Sequence, residues 1–159
     1  MNLERALHAL CDAGADFVII GGVAATFHGS AHVTFDLDIY YSRAAPNLKR
    51  LKEALEPFHP CPRGFPPELP FVWDEATLRS SSVLTLQTDI GNVDLLAEVT
   101  GLGPFEEIKA RSKTADAFGR RVAVLDIHSL IQAKRAAGRA KDLNLIPELE
   151  SLVEAEGTS

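Results

Sequence analysis

The sequence predicts an α/β fold of the α+β kind: a small mixed β-sheet with helices packed against it. Two observations carry this. Five segments of strand length (17–20, 35–41, 81–88, 93–97 and 121–125) are apolar or alternating, and stretches whose apolar residues recur at helical spacing are interleaved with them. Two of the strands are also joined by a short turn, which makes part of the sheet antiparallel. At 159 residues, with 46% hydrophobic and 24% charged residues, the chain suits a single domain over residues 1–159, with no internal repeat.

The elements follow in order. Leu3, Ala6, Leu7, Leu10 and Cys11 give an amphipathic helix over residues 2–12, and the turn after it holds Gly14. Phe17–Ile20 is a continuous apolar run, the pattern of a strand buried on both faces. Gly21-Gly22 breaks that run, Val23–Phe27 reads as a short helix, and Gly29 suits its C-terminal cap. Phe35–Tyr41 is the second strand, with Phe35, Leu37 and Ile39 expected to face the core. Pro46 can open the next helix, whose buried side is Leu48, Leu51, Leu55 and Phe58.

Residues 59–72 hold five of the nine prolines, which excludes a helix or a central strand. They read as a stiff, irregular connection at the mouth of the site. Ser81–Thr88 and Val93–Ala97 form a hairpin through a turn at Gly91-Asn92. A short helix follows at residues 104–110, then a strand at Arg121–Leu125. Asp126 is a good N-cap for the helix after it, and Pro147 suits the opening of a last helix.

Bulk properties narrow the function classes. No apolar run approaches the ~20 residues needed to span a bilayer, so no membrane partner is expected. The first residues, MNLERALHAL, read as an amphipathic helix rather than a signal peptide, so the expected location is cytoplasmic. A net charge of −6 argues against holding long duplex DNA by phosphate neutralisation. Residues 134–141, KRAAGRAK, still carry four positive charges and no negative one, enough for a small anion. Cys11 and Cys61 have no metal-ligand spacing, and Cys11 reads as a small buried hydrophobe. His8, His28, His59 and His128 likewise lack such spacing and read as surface or packing residues.

The chemistry concentrates between Phe17 and Tyr41. Asp36 and Asp38 lie two apart on a strand and so share a face. Two like charges that close repel, and a divalent cation removes the conflict. Taken alone, the pair reads as two solvated acids, because Asp-x-Asp is a common tripeptide. Gly21-Gly22, opening a helix after a strand, leaves backbone donors that a phosphate can approach closely; without a ligand it is simply a tight turn. Asp94 stands between Val93 and Leu95 in an otherwise apolar strand, a residue disfavoured there on propensity. It is either an edge position facing water or a third carboxylate meeting the other two across the sheet. Lys134 continues the apolar face of Ile127, Leu130 and Ile131, so its amine meets an anion or an acid there, or snorkels to water. On a helix that continued that far, Asp142 would lie on the same face, orienting Lys134 or Arg139 or else standing as a solvated acid.

Together these residues resemble the signature of the DNA polymerase beta-like nucleotidyltransferase superfamily: apolar strand, Gly-Gly, Asp-x-Asp and a later carboxylate on another strand. The matching residues are Gly21-Gly22, Asp36-x-Asp38 and Asp94, and the resemblance covers about residues 15–145. The small bacterial stand-alone members are the most similar, namely the minimal nucleotidyltransferases and the abortive-infection toxins of toxin–antitoxin systems. The resemblance implies the nucleotidyltransferase palm and an ATP- or other NTP-binding, Mg²⁺-dependent transferase, with two metals expected. It implies metal binding by Asp36, Asp38 and Asp94, with Asp94 helping to activate the acceptor. It implies phosphate contacts for Gly21, Gly22 and Lys134. The implied partners are an NTP, an acceptor RNA or protein and a cognate toxin or antitoxin. Relatives carry an Arg four residues before the first Asp, where this chain has His32. Two further readings remain open: a non-catalytic binding module that keeps the fold as one half of a toxin–antitoxin pair, and a metal-dependent phosphohydrolase.

Overall fold

The computed structural model describes residues 1–157. Residues 158 and 159, which the single-domain expectation included, lie outside the described residues. The architecture is mixed α/β: a seven-stranded sheet flanked by seven helices. The helices are α1 (Leu3–Asp12), α2 (Gly21–Phe27), α3 (Ala45–Leu55), α4 (Glu75–Ser80), α5 (Phe105–Arg111), α6 (Ile127–Ala137) and α7 (Ala140–Gly157). The strands are β1 (Phe17–Ile20), β2 (Asp36–Tyr41), β3 (Cys61–Pro62), β4 (Val83–Thr88), β5 (Gly91–Leu96), β6 (Lys113–Ala117) and β7 (Arg120–Val124). They are ordered β3-β4-β5-β2-β1-β7-β6. The β1/β7 and β2/β5 pairs are parallel and the other four antiparallel.

β1 sits near the centre and is buried at all four residues, as its continuous apolar run requires. β2 and β5 alternate instead. Leu37, Ile39, Val93 and Leu95 are fully buried, while Asp36, Asp38 and Asp94 lie on the opposite face. The core continues through Leu7 and Leu10 of α1 and Leu48, Leu51 and Leu55 of α3. α2 packs on β1, β2 and α6, and α6 packs on α7, so these helices border the acidic face. Among the described residues, no helix is long and apolar enough to cross a membrane.

Several expectations need correction. Phe35 does not face the core: β2 finds its first partner at Asp36↔Asn92, and Phe35, just beyond that pairing, is 74% exposed. The β4–β5 hairpin turns at Asp89-Ile90 rather than Gly91-Asn92, because Gly91 already pairs with Thr88. Residues 59–72 do contain a strand, the two-residue β3, but it is an edge strand, where a proline costs no ladder bond on its open side. α4 and β6 stand where no element was expected. The last helix opens at Ala140, and Pro147 lies inside it. The i−4 acceptor that Pro147 leaves without a donor is the carbonyl of Leu143, an exposed position.

Candidate active site

The sheet register builds the site. β2 and β5 run parallel with Asp38 directly opposite Asp94 and Asp36 opposite Asn92. Residues opposite one another in a ladder project to the same face, so three carboxylates meet on one patch. Asn92 Nδ2 donates to Asp36 Oδ1 at 3.2 Å, which fixes the outermost acid. The Asp38 and Asp94 carboxyls lie within hydrogen-bonding reach of each other. Burial, and then the neighbouring charge of Asp94, pushes the Asp38 carboxyl up to about 7. Burial also raises Asp94, against the opposing pull of the Arg63 guanidinium. Asp38 Oδ1 is buried and has no hydrogen-bond partner among the described residues.

Gly21 and Gly22 have a role in this register. Gly21 has φ +66°, and a β-carbon there would overlap Asp38 Oδ2. A β-carbon on Gly22 would stand 2.8 Å from Thr34 Cβ and Oγ1. The two glycines are therefore required by the close approach of β2 and of the loop before it. At seven residues α2 is too short for its dipole to add an anion site of its own, so Gly22 takes part only as one wall of a cavity. That cavity, of about 410 Å³, is also lined by His32, Asp36, Asp38, Lys134 and Arg139. A second, mostly apolar cavity of about 190 Å³ opens beside it, where Gly21, Asp38 and Lys134 meet Leu96, Val99 and Leu130.

Lys134 comes from α6, whose N-terminus is capped by Asp126, as expected, accepting from the Ser129 N–H at 3.1 Å. Its amine points into the protein, with 16% of the side chain exposed, and meets Asp142 Oδ1 at 3.3 Å. The contact does not run along one continuing helix. Gly138, at φ +68°, ends α6, and α7 returns Asp142 to Lys134 from the other side of the turn. Asp142 is no solvated acid: it is 1% exposed and also accepts from Arg139 Nε at 2.6 Å. Burial alone would raise its carboxyl, but the hydrogen bonds from Arg139 and Lys134 outweigh that and hold it below the usual carboxylate range.

Two residues at the site had no place in the sequence reading. One is Asn92, which reads from the sequence as part of a turn; its position two before Asp94 on the same strand is the available signal. The other is Arg63. Its backbone N–H donates to Thr85 O at 2.9 Å, and Thr85 pairs with Asp94. Arg63, Thr85, Asp94 and Asp38 thus form one row across four neighbouring chain segments. From the end of that row the guanidinium reaches over Thr85, pairs with Asp94 Oδ1, and lies 4.0 Å from Asp36 Oδ2. Arg63 brings the proline-rich segment to the acids, but no residue of 59–72 lines either cavity. Of the histidines that read as surface or packing residues, His8 and His28 bond the carbonyls of Phe118 and Leu125 at 2.8 and 2.7 Å, and the exposed His59 bonds Asp89.

The donor set suits a hard cation. Among the described residues, no three His, Cys, Asp or Glu side chains already form a metal cage. Mg²⁺ needs none, since it takes one or two carboxylates and fills its shell with water and phosphate oxygens. The unpartnered Asp38 Oδ1, the crowded carboxyls and the all-oxygen chemistry fit that ion. Compared with protein-family models and with curated proteins, the chain matches none.

Proposed function

We propose that this chain is a Mg²⁺-dependent nucleotidyltransferase that moves a nucleoside monophosphate from an NTP to an acceptor hydroxyl. One observation carries the reading: Asp38 and Asp94 are paired across parallel strands, Asp36 stands beside them, and the innermost acid has no partner for one oxygen among the described residues. Carboxylates crowded to that degree, next to a cavity with a basic wall, suit a cation and a polyphosphate together. Asp36, Asp38 and Asp94 would hold one or two Mg²⁺. When bound, Mg²⁺ supplies charge neutralisation at the phosphates and at the leaving group.

The chain's own residues do the rest. The acceptor oxygen attacks the α-phosphorus, the bond to the bridging α–β oxygen breaks, and pyrophosphate leaves. Asp94 takes the hydroxyl proton. Lys134 keeps two amine protons beyond its bond to Asp142 and turns them to the phosphates, while Gly21 and Gly22 form walls of the two cavities beside the acids. Most of the rate gain would come from positioning and fixed charge. The resemblance to small bacterial members of the polymerase beta-like superfamily supports the palm fold and an RNA or protein acceptor. It also supports a cytoplasmic setting within a toxin–antitoxin pair.

A second reading is favoured by Arg63, which already sits on two of the acids: a non-catalytic binding module in which the chain satisfies its own charges. Incubation with α-labelled NTPs, Mg²⁺ and pooled RNA or protein acceptors tests the two. Label transfer by the native chain that disappears with Asp36→Ala or Asp38→Ala supports the enzyme, and transfer that survives both substitutions defeats it. Phosphate release without label transfer would mean a phosphohydrolase.

A further inference from the structure

We propose that Arg63 is a displaceable counter-ion of the acidic face: its guanidinium occupies the carboxylates that a divalent cation needs, so cation and Arg63 compete. The inference rests on reading those acids as a cation site. Among the described residues, the ion pairs of Asp36 and Asp94 are both with Arg63. Asp38, innermost in the row, receives none. The cation ion-paired to these acids among the described residues is thus Arg63, at the outer end of the row.

The geometry fits a group that holds the site and can leave it. The Arg63 backbone is tied to the sheet edge through Thr85, so the side chain has a fixed pivot. Between pivot and acid lies Thr85, whose small side chain gives the guanidinium a path across two strand spacings, about 9.6 Å. The Arg63 side chain is 32% exposed, so it can swing to water without unpacking core residues. Arg63 also belongs to the proline-rich segment, whose stiffness keeps the pivot in register while the side chain moves. A cation with a double charge bound by Asp36, Asp38 and Asp94 would repel a guanidinium held on the same oxygens. In the cation-free protein, Arg63 draws Asp94 and Asp36 towards one point and limits their repulsion. Arg63 is thus a positioning residue that acts through those two acids.

The test is Mn²⁺ titration at pH 8, followed by calorimetry and by water-proton relaxation. The proteins are the native chain, Arg63→Gln and Arg63→Lys, each with thermal unfolding with and without Mn²⁺. The expected result is Mn²⁺ bound roughly fivefold or more tightly by Arg63→Gln than by the native chain. Its cation-free melting temperature should be lower and its Mn²⁺-induced rise larger. Arg63→Lys keeps the charge without the fork and should fall between; it also carries the test if Arg63→Gln does not fold. Mn²⁺ binding by the native chain with no gain in either variant overturns the role of Arg63 alone. No binding by any of the three proteins overturns the cation site and this inference together. Binding seen only once Arg63 is replaced supports it most strongly.

Discussion

Asp142 and Asp38 both have oxygens withdrawn from water, and they are treated in opposite ways. Asp142, in the corner between α6 and α7, receives Lys134 and Arg139 and is held ionised below its usual range. Asp38, in the middle of the sheet, has no ion pair among the described residues, faces Asp94 and is pushed up to about 7. A fold that can bring two cations to one buried acid could have done so for the other. The difference separates an acid that joins two helices from an acid left short of positive charge. That shortage is the physical mark of the site.

The largest expected effect is on chemistry. Asp38→Asn should reduce label transfer by about 10³-fold or more, ~4 kcal/mol of transition-state stabilisation, while leaving the cation-free protein at pH 8 as stable as the native chain or more so. Asp142→Ala should show the reverse pattern. Removing one partner of a buried pair leaves Lys134 uncompensated, and urea denaturation should register a loss of about 3 kcal/mol or more.

The pH dependence of stability sharpens the comparison, because the two acids have opposite signs. The folded chain holds the Asp38 proton more tightly than the unfolded chain, whose carboxyl keeps the ordinary value of 3.8. This contribution is fully present below 3.8 and is lost as pH rises through about 7, at up to ~1.4 kcal/mol per pH unit. Saturating Mg²⁺ or Asp38→Asn should flatten that slope. Asp142 has a lowered folded-state value, so its contribution is present above the ordinary carboxylate value and is lost on acidification. Denaturation curves from pH 3 to 9, with and without Mg²⁺, check both signs. The smallest effect is that of Gly21→Ala. The positive φ and the overlap with Asp38 Oδ2 should cost about 1–3 kcal/mol and weaken cation binding with it.

The acid trio was legible in the sequence because a strand repeats every two residues and an aspartate inside an apolar strand stands out. Gly21-Gly22 was legible as a turn, but its reason was not: the overlap with Asp38 depends on the β1/β2 register. Arg63 was hidden because its partner lies 31 residues away across two further strands, and only the sheet order joins them. Lys134 and Asp142 do meet, but across the turn at Gly138 and not along one helix. The helical spacing of the basic run masked the stop at Gly138. β6 escaped because Lys113–Ala117 is a largely exposed edge strand with little apolar alternation to detect.

The central claim is that the acidic face binds a cation and a nucleotide as a unit. Calorimetric titration of Mg²⁺ with ATP, GTP, CTP and UTP in turn, at pH 8, into the native chain and into Asp38→Asn tests it most directly. The account predicts that at least one Mg-nucleotide binds the native chain, and that Asp38→Asn weakens it at least tenfold, about 1.4 kcal/mol. Equal affinity in the two proteins, or no heat with any of the four nucleotides in the native chain, would contradict it.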